Sequence, residues 1–172
     1  MSVFKHIKEA TYQIELLKKR LPNVKNPQQQ QNLLKLTNSF IMLLNDCEAL
    51  LAQNMKTDVI DRLLLARMYS QLFGADGNIN IHGIVNNIEN NLIESKQLQK
   101  HRIINFLQQK EIENTINQLP SKKSQSGYYK VNASADQQNK VAKQLKEITS
   151  TAEYDAMIEE LLNSLKQTIE WN

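Results

Sequence analysis

Apolar residues recur near the N-terminus at the alternating four- and three-residue spacing that marks one face of a helix. They are Val3, Ile7, Ala10, Ile14, Leu17 and Leu21. This spacing places all of their side chains on one stripe of an α-helix. Pro22 follows at once and disfavours continuation of the helix, so the first helix is predicted over residues 2–21.

A second apolar stripe begins after Asn26 and Pro27, a pair that suits the cap and the first turn of a helix. The predicted helix spans residues 27–55. Its stripe consists of Leu33, Leu36, Phe40, Leu43, Cys47 and Leu50. Further apolar residues, Leu34, Ile41, Leu44 and Leu51, widen the stripe into a broad apolar face.

The third predicted helix, residues 58–73, is apolar almost all round. Thr57 is the predicted N-cap, and acidic residues in the first turn complement the helix dipole. A helix without a polar face is buried, so this one should be the most buried element and Leu64 should lie in the core. Gly74 is the predicted stop of the helix.

Apolar periodicity resumes at Ile84 and continues to Leu119, with a phase slip between Ser95 and Arg102. Either one long bent helix or two shorter helices would produce this pattern. We favour one helix over residues 82–119, ended by Pro120.

Residues 120–136 have the composition of a flexible connector, PSKKSQSGYYKVNASAD. Two short helices are predicted after it, over 137–149 and 151–170, the second opened by a capping box of Ser150 and Glu153. The sequence thus predicts a single all-α domain, an elongated antiparallel bundle of five or six helices. Residues 1–119 form the main bundle, and residues 137–172 form a helical pair packed on it.

Composition supports the helical class. Only 4 glycines and 3 prolines occur in 172 residues, and aromatic residues make up 6%, whereas sheet proteins need more turn and aromatic residues. The net charge of +3 comes from interspersed charges of both signs. No stretch resembles a secretory signal or a membrane span, so we expect a soluble, cytoplasmic protein.

The segment FGADGNINIHG, residues 73–83, resembles half of a calcium loop. A calcium loop of the helix–loop–helix type needs oxygen ligands at fixed positions and an acidic residue at the twelfth. With Gly77 as the central glycine, the twelfth position is Gly83; with Asp76 as the first ligand, it is Asn87. Both registers fail, so the segment is interpreted as a helix connector.

No cofactor, metal or catalytic site is expected. The three histidines, His6, His82 and His101, fall in separate predicted elements without a partner one helical turn away. Cys47 lies on an apolar stripe, as a buried hydrophobic residue would. The paired carboxylates along the chain suit helix caps and solvated faces, and none adjoins a glycine-rich loop or a histidine. Enzymatic activity is therefore not expected.

A basic face offers one function hypothesis. Lysines lie along one side of the helix predicted at 137–149 and in the connector before it, and two tyrosines lie between them. Basic residues interleaved with aromatic ones suit a groove that follows a nucleic-acid backbone. Acidic residues dilute this face, so nucleic-acid binding is the alternative function. The lysines are Lys122, Lys123, Lys140, Lys143 and Lys146.

The favoured hypothesis is a non-catalytic protein-binding bundle, an adaptor or chaperone-like interaction module. Long amphipathic helices that pack in a bundle also present faces that receive a partner helix. Tyr128, Tyr129 and Val131 are the predicted contact residues, because they are the apolar members of an otherwise polar connector. The expected partner is another protein, or a second copy of the chain in a homodimer.

Overall fold

The computed structural model describes residues 2–73, 81–118, 128–149 and 154–164, with Ile169 and Trp171. Seven α-helices account for most of this part of the chain, and a 3-10 turn at Leu21–Asn23 follows the first. They are α1 (Val3–Arg20), α2 (Pro27–Ala52), α3 (Lys56–Phe73), α4 (Ile81–Leu92), α5 (Lys96–Gln118), α6 (Tyr128–Thr149) and α7 (Asp155–Ser164). The all-α bundle is confirmed, with more helices than the five or six predicted.

Local hydrogen bonds fix the limits of α2. The Asn26 side chain accepts from the backbone N–H groups of Gln28, at 2.9 Å, and Gln29, at 3.2 Å, which confirms the predicted cap. The helix ends at Ala52, three residues before the predicted end. Asn54 then adopts a φ of 60°, the left-handed conformation that commonly ends a helix and that asparagine tolerates.

The centre of the bundle is α3, which packs against α2, α4, α5, α6 and α7. Its residues are buried on nearly every side, and Leu64 is 1% exposed, as predicted. One detail of the prediction is wrong. The backbone N–H of Val59 donates to the Met55 carbonyl at 3.2 Å, so the helix begins at Lys56 and Thr57 lies inside its first turn.

The helices α1 and α2 pack against each other through their predicted stripes. The buried residues of α1 include Ile7, Ala10, Ile14 and Leu17, and those of α2 include Leu33, Leu36, Phe40, Leu43 and Cys47. The rings of Phe40 and Tyr69 join α2 to α3 at a centroid distance of 5.1 Å. Spacing along these two helices therefore predicted the core correctly.

The prediction of one helix over residues 82–119 is wrong, because the chain breaks between Leu92 and Lys96 to form α4 and α5. Ser95 is the cause. Its hydroxyl accepts from the N–H of Leu98 at 3.2 Å, and its carbonyl accepts from the N–H of Gln99 at 3.0 Å. Ser95 thus caps a new helix, and the phase slip marks two helices that bury different stripes.

The C-terminal helices also differ from the prediction. Helix α6 begins at Tyr128 instead of 137, so the last nine residues of the predicted connector are helical. No glycine or proline follows Gly127 before the end of α6, so nothing in the sequence forces a later start. The described residues do not include 74–80, with Gly74 and Gly77, 119–127, or the predicted capping box at 150–153.

Helix α7, Asp155–Ser164, lies within the predicted 151–170, of which residues 151–153, 165–168 and 170 are not described. It packs against α6, α2 and α3. Near the C-terminus, Trp171 forms an isolated antiparallel bridge with Val24. The Arg20 guanidinium lies 5.3 Å from the centroid of the Trp171 ring, so Trp171 contacts the end of α1 and the connection that follows it.

Candidate functional site

Helix α5 has an inverted arrangement of polar and apolar residues. Its outward side carries four large apolar side chains that are about half exposed: Ile103 at 52%, Ile104 at 46%, Phe106 at 52% and Leu107 at 63%. Its inward side buries Asn105 and Gln109. We call the four exposed residues the α5 outer surface. An exposed apolar cluster on one helix is unusual for a surface that only meets water.

The inward polar residues bind α5 to the central helix. The Asp61 carboxylate on α3 accepts from the Asn105 side-chain amide at 2.7 Å. His101 Nε2, one turn earlier on α5, lies 2.8 Å from the same Asp61 oxygen. One carboxylate thus holds two successive turns of α5, which fixes the rotation of the helix.

A buried carboxylate, Glu89 on α4, binds α5 at Arg102, the residue after His101. Arg67 of α3 and Arg102 of α5 each place a guanidinium nitrogen 2.6 Å from one of its oxygens. The Glu89 side chain is only 3% exposed. A carboxylate buried so deeply needs both cations, so this trio ties three helices together at one point.

The C-terminal half of α5 is attached to α3 through a carboxylate of α5 itself, that of Glu113. Gln109 donates from its amide to Glu113 at 2.9 Å, and Gln71 of α3 donates to the same carboxylate oxygen at 2.6 Å. Polar contacts with α3 and α4 therefore extend along α5 from His101 to Glu113. Asn105 and Gln109 are buried on this inward side, and the four apolar residues of the α5 outer surface lie exposed on the other side.

Two clefts lie beside α5. One, of about 410 Å³, lies between α3, α5 and α6 and includes the carboxylates of Asp61, Glu111 and Glu147. The other, of about 370 Å³, lies on the side of α4 and includes Arg67, Glu89 and Arg102. Charged groups of the bundle thus flank the α5 outer surface on both sides, as a polar rim flanks a protein contact.

A second polar cluster surrounds Tyr154, the residue just before α7. The Tyr154 hydroxyl donates to the Asp46 carboxylate, and the Arg62 guanidinium lies 5.1 Å from the Tyr154 ring. Arg62 also donates to the Thr149 carbonyl at 2.7 Å. Burial and the bond to Asp46 raise the pKa of Tyr154 above its usual range, so the phenol stays protonated. The cluster joins α7 to α2 and α3.

No nucleophile is activated among these groups. Cys47 is fully buried, and burial raises the pKa of its thiol to about 12, against an ordinary value of 9.0. A thiol with this pKa is protonated at neutral pH and does not attack substrates. Burial also raises the pKa of Tyr69 above its usual range.

In the described part of the molecule, no group of three histidine, cysteine or carboxylate side chains lies close enough together to hold a metal ion. His6 lies 3.3 Å from the Asn91 amide, and His101 is bound to Asp61. His82 is exposed on α4. Each of the three histidines thus has a separate environment.

The predicted contact residues Tyr128, Tyr129 and Val131 lie in the first turn of α6, and their side chains are outside the described part. Of the predicted basic face, Lys122 and Lys123 are not described, and Lys140 and Lys143 are exposed on α6. Lys146 is neutralised by Glu159 of α7 at 3.1 Å. The three described lysines of the basic face therefore present less positive charge than their number suggests.

Among the helices that the structure describes, none is both long enough and apolar enough to cross a membrane. Comparison with protein-family models, with curated proteins and with solved structures finds no match to this chain.

Sequence reasoning missed the α5 outer surface. Ile103, Ile104 and Leu107 belong to the apolar pattern predicted for one helix over residues 82–119, together with Ile112 and Ile116. Of these five residues, α5 buries only Ile112 and Ile116. The signal was the five-residue step from Leu107 to Ile112, which changes the phase of the apolar residues within one helix. When one helix has two apolar stripes on different sides and packs one of them against the bundle, the other stripe is left facing outward.

Proposed function

We propose that this protein is a non-catalytic helical interaction module of the adaptor or chaperone-like kind, which works in the cytoplasm and binds another protein through the α5 outer surface. The observation that carries the proposal is the group of four large apolar side chains, each about half exposed, on adjacent turns of one helix. Covering such a group removes apolar area from water, which is the main driving force of protein association.

The attachment of α5 supports this role. Asp61 and Gln71 of α3 and Glu89 of α4 hold its inward side, so the outer residues are displayed on a helix whose rotation is fixed. A surface that is ordered before binding loses little conformational entropy when the partner arrives. Helices with apolar residues at successive turns typically bind an amphipathic helix of a partner.

The proposal assigns the protein no chemical step. The Cys47 thiol is buried and protonated, and the Tyr154 hydroxyl is engaged with Asp46. Both groups serve packing between helices in this account. Binding alone is the activity that the α5 outer surface serves.

The experiment is affinity capture from the native host with a tagged chain and a double variant, Ile103→Asp with Leu107→Asp. Two carboxylates in the surface would have to be desolvated on binding, so we expect partner recovery to fall at least about tenfold. The matched control is Leu34→Asp with Met42→Asp, which changes two exposed apolar residues of α2, 40% and 42% exposed. Circular dichroism and melting curves verify that all three proteins fold.

Equal recovery of the same partners by the wild type and the α5 variant would contradict the proposal. A salt titration against mixed nucleic acid tests the alternative. If binding weakens steeply with salt and disappears in the Lys140→Glu, Lys143→Glu variant, the nucleic-acid function replaces the proposed one.

A further inference from the structure

The exposed side of α5 contains a straight seam with complementary charges at its two ends. Lys100, Ile104, Leu107 and Glu111 follow one another at spacings of four, three and four residues. At about 100° per residue they lie within about 60° of one another around the helix. Lys100 and Glu111 are both exposed, so charge and apolar residues share one outward line.

The seam is symmetric about its own centre. The midpoint between positions 104 and 107 is also the midpoint between positions 100 and 111. An antiparallel copy of the same helix, related by a two-fold axis at that point, therefore places Ile104 against Leu107 and Lys100 against Glu111, each twice. Spacings of four and three residues are those of an antiparallel coiled-coil contact.

We propose that the occupant of the α5 outer surface is a second copy of this chain, bound with its α5 antiparallel to the first. The inference rests on the proposed function, in that it takes this surface to be a protein contact. The opposite charges of Lys100 and Glu111 favour a second copy of the chain and set its direction. A parallel arrangement would place Lys100 against Lys100 and Glu111 against Glu111, which repel, whereas the antiparallel arrangement pairs opposite charges.

The charges of α5 itself agree with this pairing. The helix opens with Lys96 and has no acidic residue in its first turn, although cations near a helix N-terminus are unfavourable. Neither Lys100 nor Glu111 has an ion-pair partner among the described residues. An antiparallel neighbour brings the acidic end of one α5 to the basic end of the other. Lys110 does not oppose this, because Glu113 lies 3.5 Å from it.

The seam between the charges extends about 16 Å along the helix. One helix pair of this length falls at the small end of specific interfaces, below about 1,200 Å². The dimer is therefore transient, and its population depends on protein concentration. Ile103 and Phe106 flank the seam on one side and enlarge its apolar part.

Sedimentation velocity over a range of micromolar concentrations tests the dimer, because one chain has a mass of 19.9 kDa. Lys100→Glu and Glu111→Lys each create two repulsive pairs, and we expect each to raise the dissociation constant at least about tenfold. The double variant exchanges the charges and restores both pairs, so its dissociation constant should return to within about threefold of the wild type. Lys8→Glu, on the exposed side of α1, is the control and should leave it unchanged.

Disulfide trapping tests the register. Ile104→Cys mixed with Leu107→Cys should give a crosslinked dimer, while neither variant alone should; the native Cys47 is buried and stays unreactive. Crosslinking of a single variant with itself, or a double charge variant no better than the single ones, would overturn the antiparallel pairing. A wild type that stays monomeric throughout would overturn the second copy as occupant, while capture of a host partner through Ile103 and Leu107 would still support the proposed function.

Discussion

Helices α3 and α5 are neighbours in the bundle and use their apolar residues in opposite ways. Helix α3 buries apolar side chains on nearly every side, with Val59, Leu63 and Tyr69 all inaccessible to water. Helix α5 buries Asn105 and Gln109 and exposes Ile103 and Leu107. An apolar residue on α3 therefore stabilises the fold, whereas an apolar residue on the outer side of α5 contributes little to it.

Polar contacts produce this division of roles. The inward side of α5 meets carboxylates that α3 and α4 already hold in place, at Asp61 and Glu89. Buried carboxylates must be neutralised or hydrogen-bonded, and α5 supplies the Arg102 guanidinium to Glu89 and the Asn105 amide to Asp61. The apolar residues of the middle of α5 then lie exposed on its outer side.

The largest effect is expected where the polar attachment of α5 is removed. Glu89→Ala leaves two guanidinium groups facing each other without their carboxylate, so we expect a loss of about 3–5 kcal/mol in unfolding free energy, measured by urea denaturation. Glu94→Ala is the control, because the Glu94 side chain is 66% exposed in its ion pair with Lys56 and should contribute less than about 1 kcal/mol. Similar losses in the two variants would show that Glu89 does not organise the three helices.

The core of α3 is expected to be nearly as sensitive. Leu64→Ala should lower the unfolding free energy by about 2–5 kcal/mol, through lost burial and the cavity that remains. Leu34→Ala on α2, where the leucine is 40% exposed, provides the matched control and should cost much less. An unchanged melting temperature of the Leu64 variant would contradict the central position of α3.

Alkaline pH should destabilise the fold through Cys47. Burial holds the pKa of this thiol at about 12, against an ordinary value of 9.0. The native state therefore keeps a proton that the unfolded state releases. The resulting stability is complete below about pH 9 and is lost as the pH rises toward about 12, by up to about 1.4 kcal/mol per pH unit.

The comparison of wild type with Cys47→Ala isolates this contribution, because the tyrosines titrate in both proteins. Urea unfolding measured from about pH 8 to about pH 11 should show a steeper decline for the wild type. If the unfolding free energies of the two proteins fall with pH at the same rate, the thiol ionises as easily in the native state as in the unfolded state. Such a result would contradict the burial of Cys47.

The smallest effect is expected on the outer side of α5. Ile103→Ala and Leu107→Ala should each change the unfolding free energy of the monomer by less than about 0.5 kcal/mol, because their side chains are 52% and 63% exposed. Chemical denaturation at low protein concentration measures this change without a contribution from association. A loss similar to that of Leu64→Ala would place these residues in the core.

The sequence was sufficient to predict α1, α2 and α3. Helices α1 and α2 each have one apolar stripe, and α3 is apolar almost all round. The spacing of apolar residues is therefore enough to predict which side chains are buried. Pro22, Asn26 and Pro27 placed the turn between the first two helices for similarly local reasons. The break at Ser95 was visible only as a phase slip, since serine inside a helix and serine at a cap look alike in a sequence.

The candidate site was not predictable in the same way. Helix α5 has two apolar stripes, and the choice between them depends on Asp61 and Glu89, which lie on other helices. Local spacing contains no information about such partners. The prediction of Tyr128, Tyr129 and Val131 as contact residues rested on composition alone, and it stays a prediction.

The most direct test of the account is photo-crosslinking at Leu107 in the native host. A benzophenone amino acid at this position should form a discrete covalent adduct with whatever covers the α5 outer surface, and an adduct of twice the chain mass if a second copy does. Tyr12 on α1 is the matched control, since its exposure of 61% is close to the 63% of Leu107. We expect an adduct at position 107 that is absent at position 12. No adduct at position 107, or the same adducts at both positions, would contradict the proposal that the α5 outer surface is a protein contact.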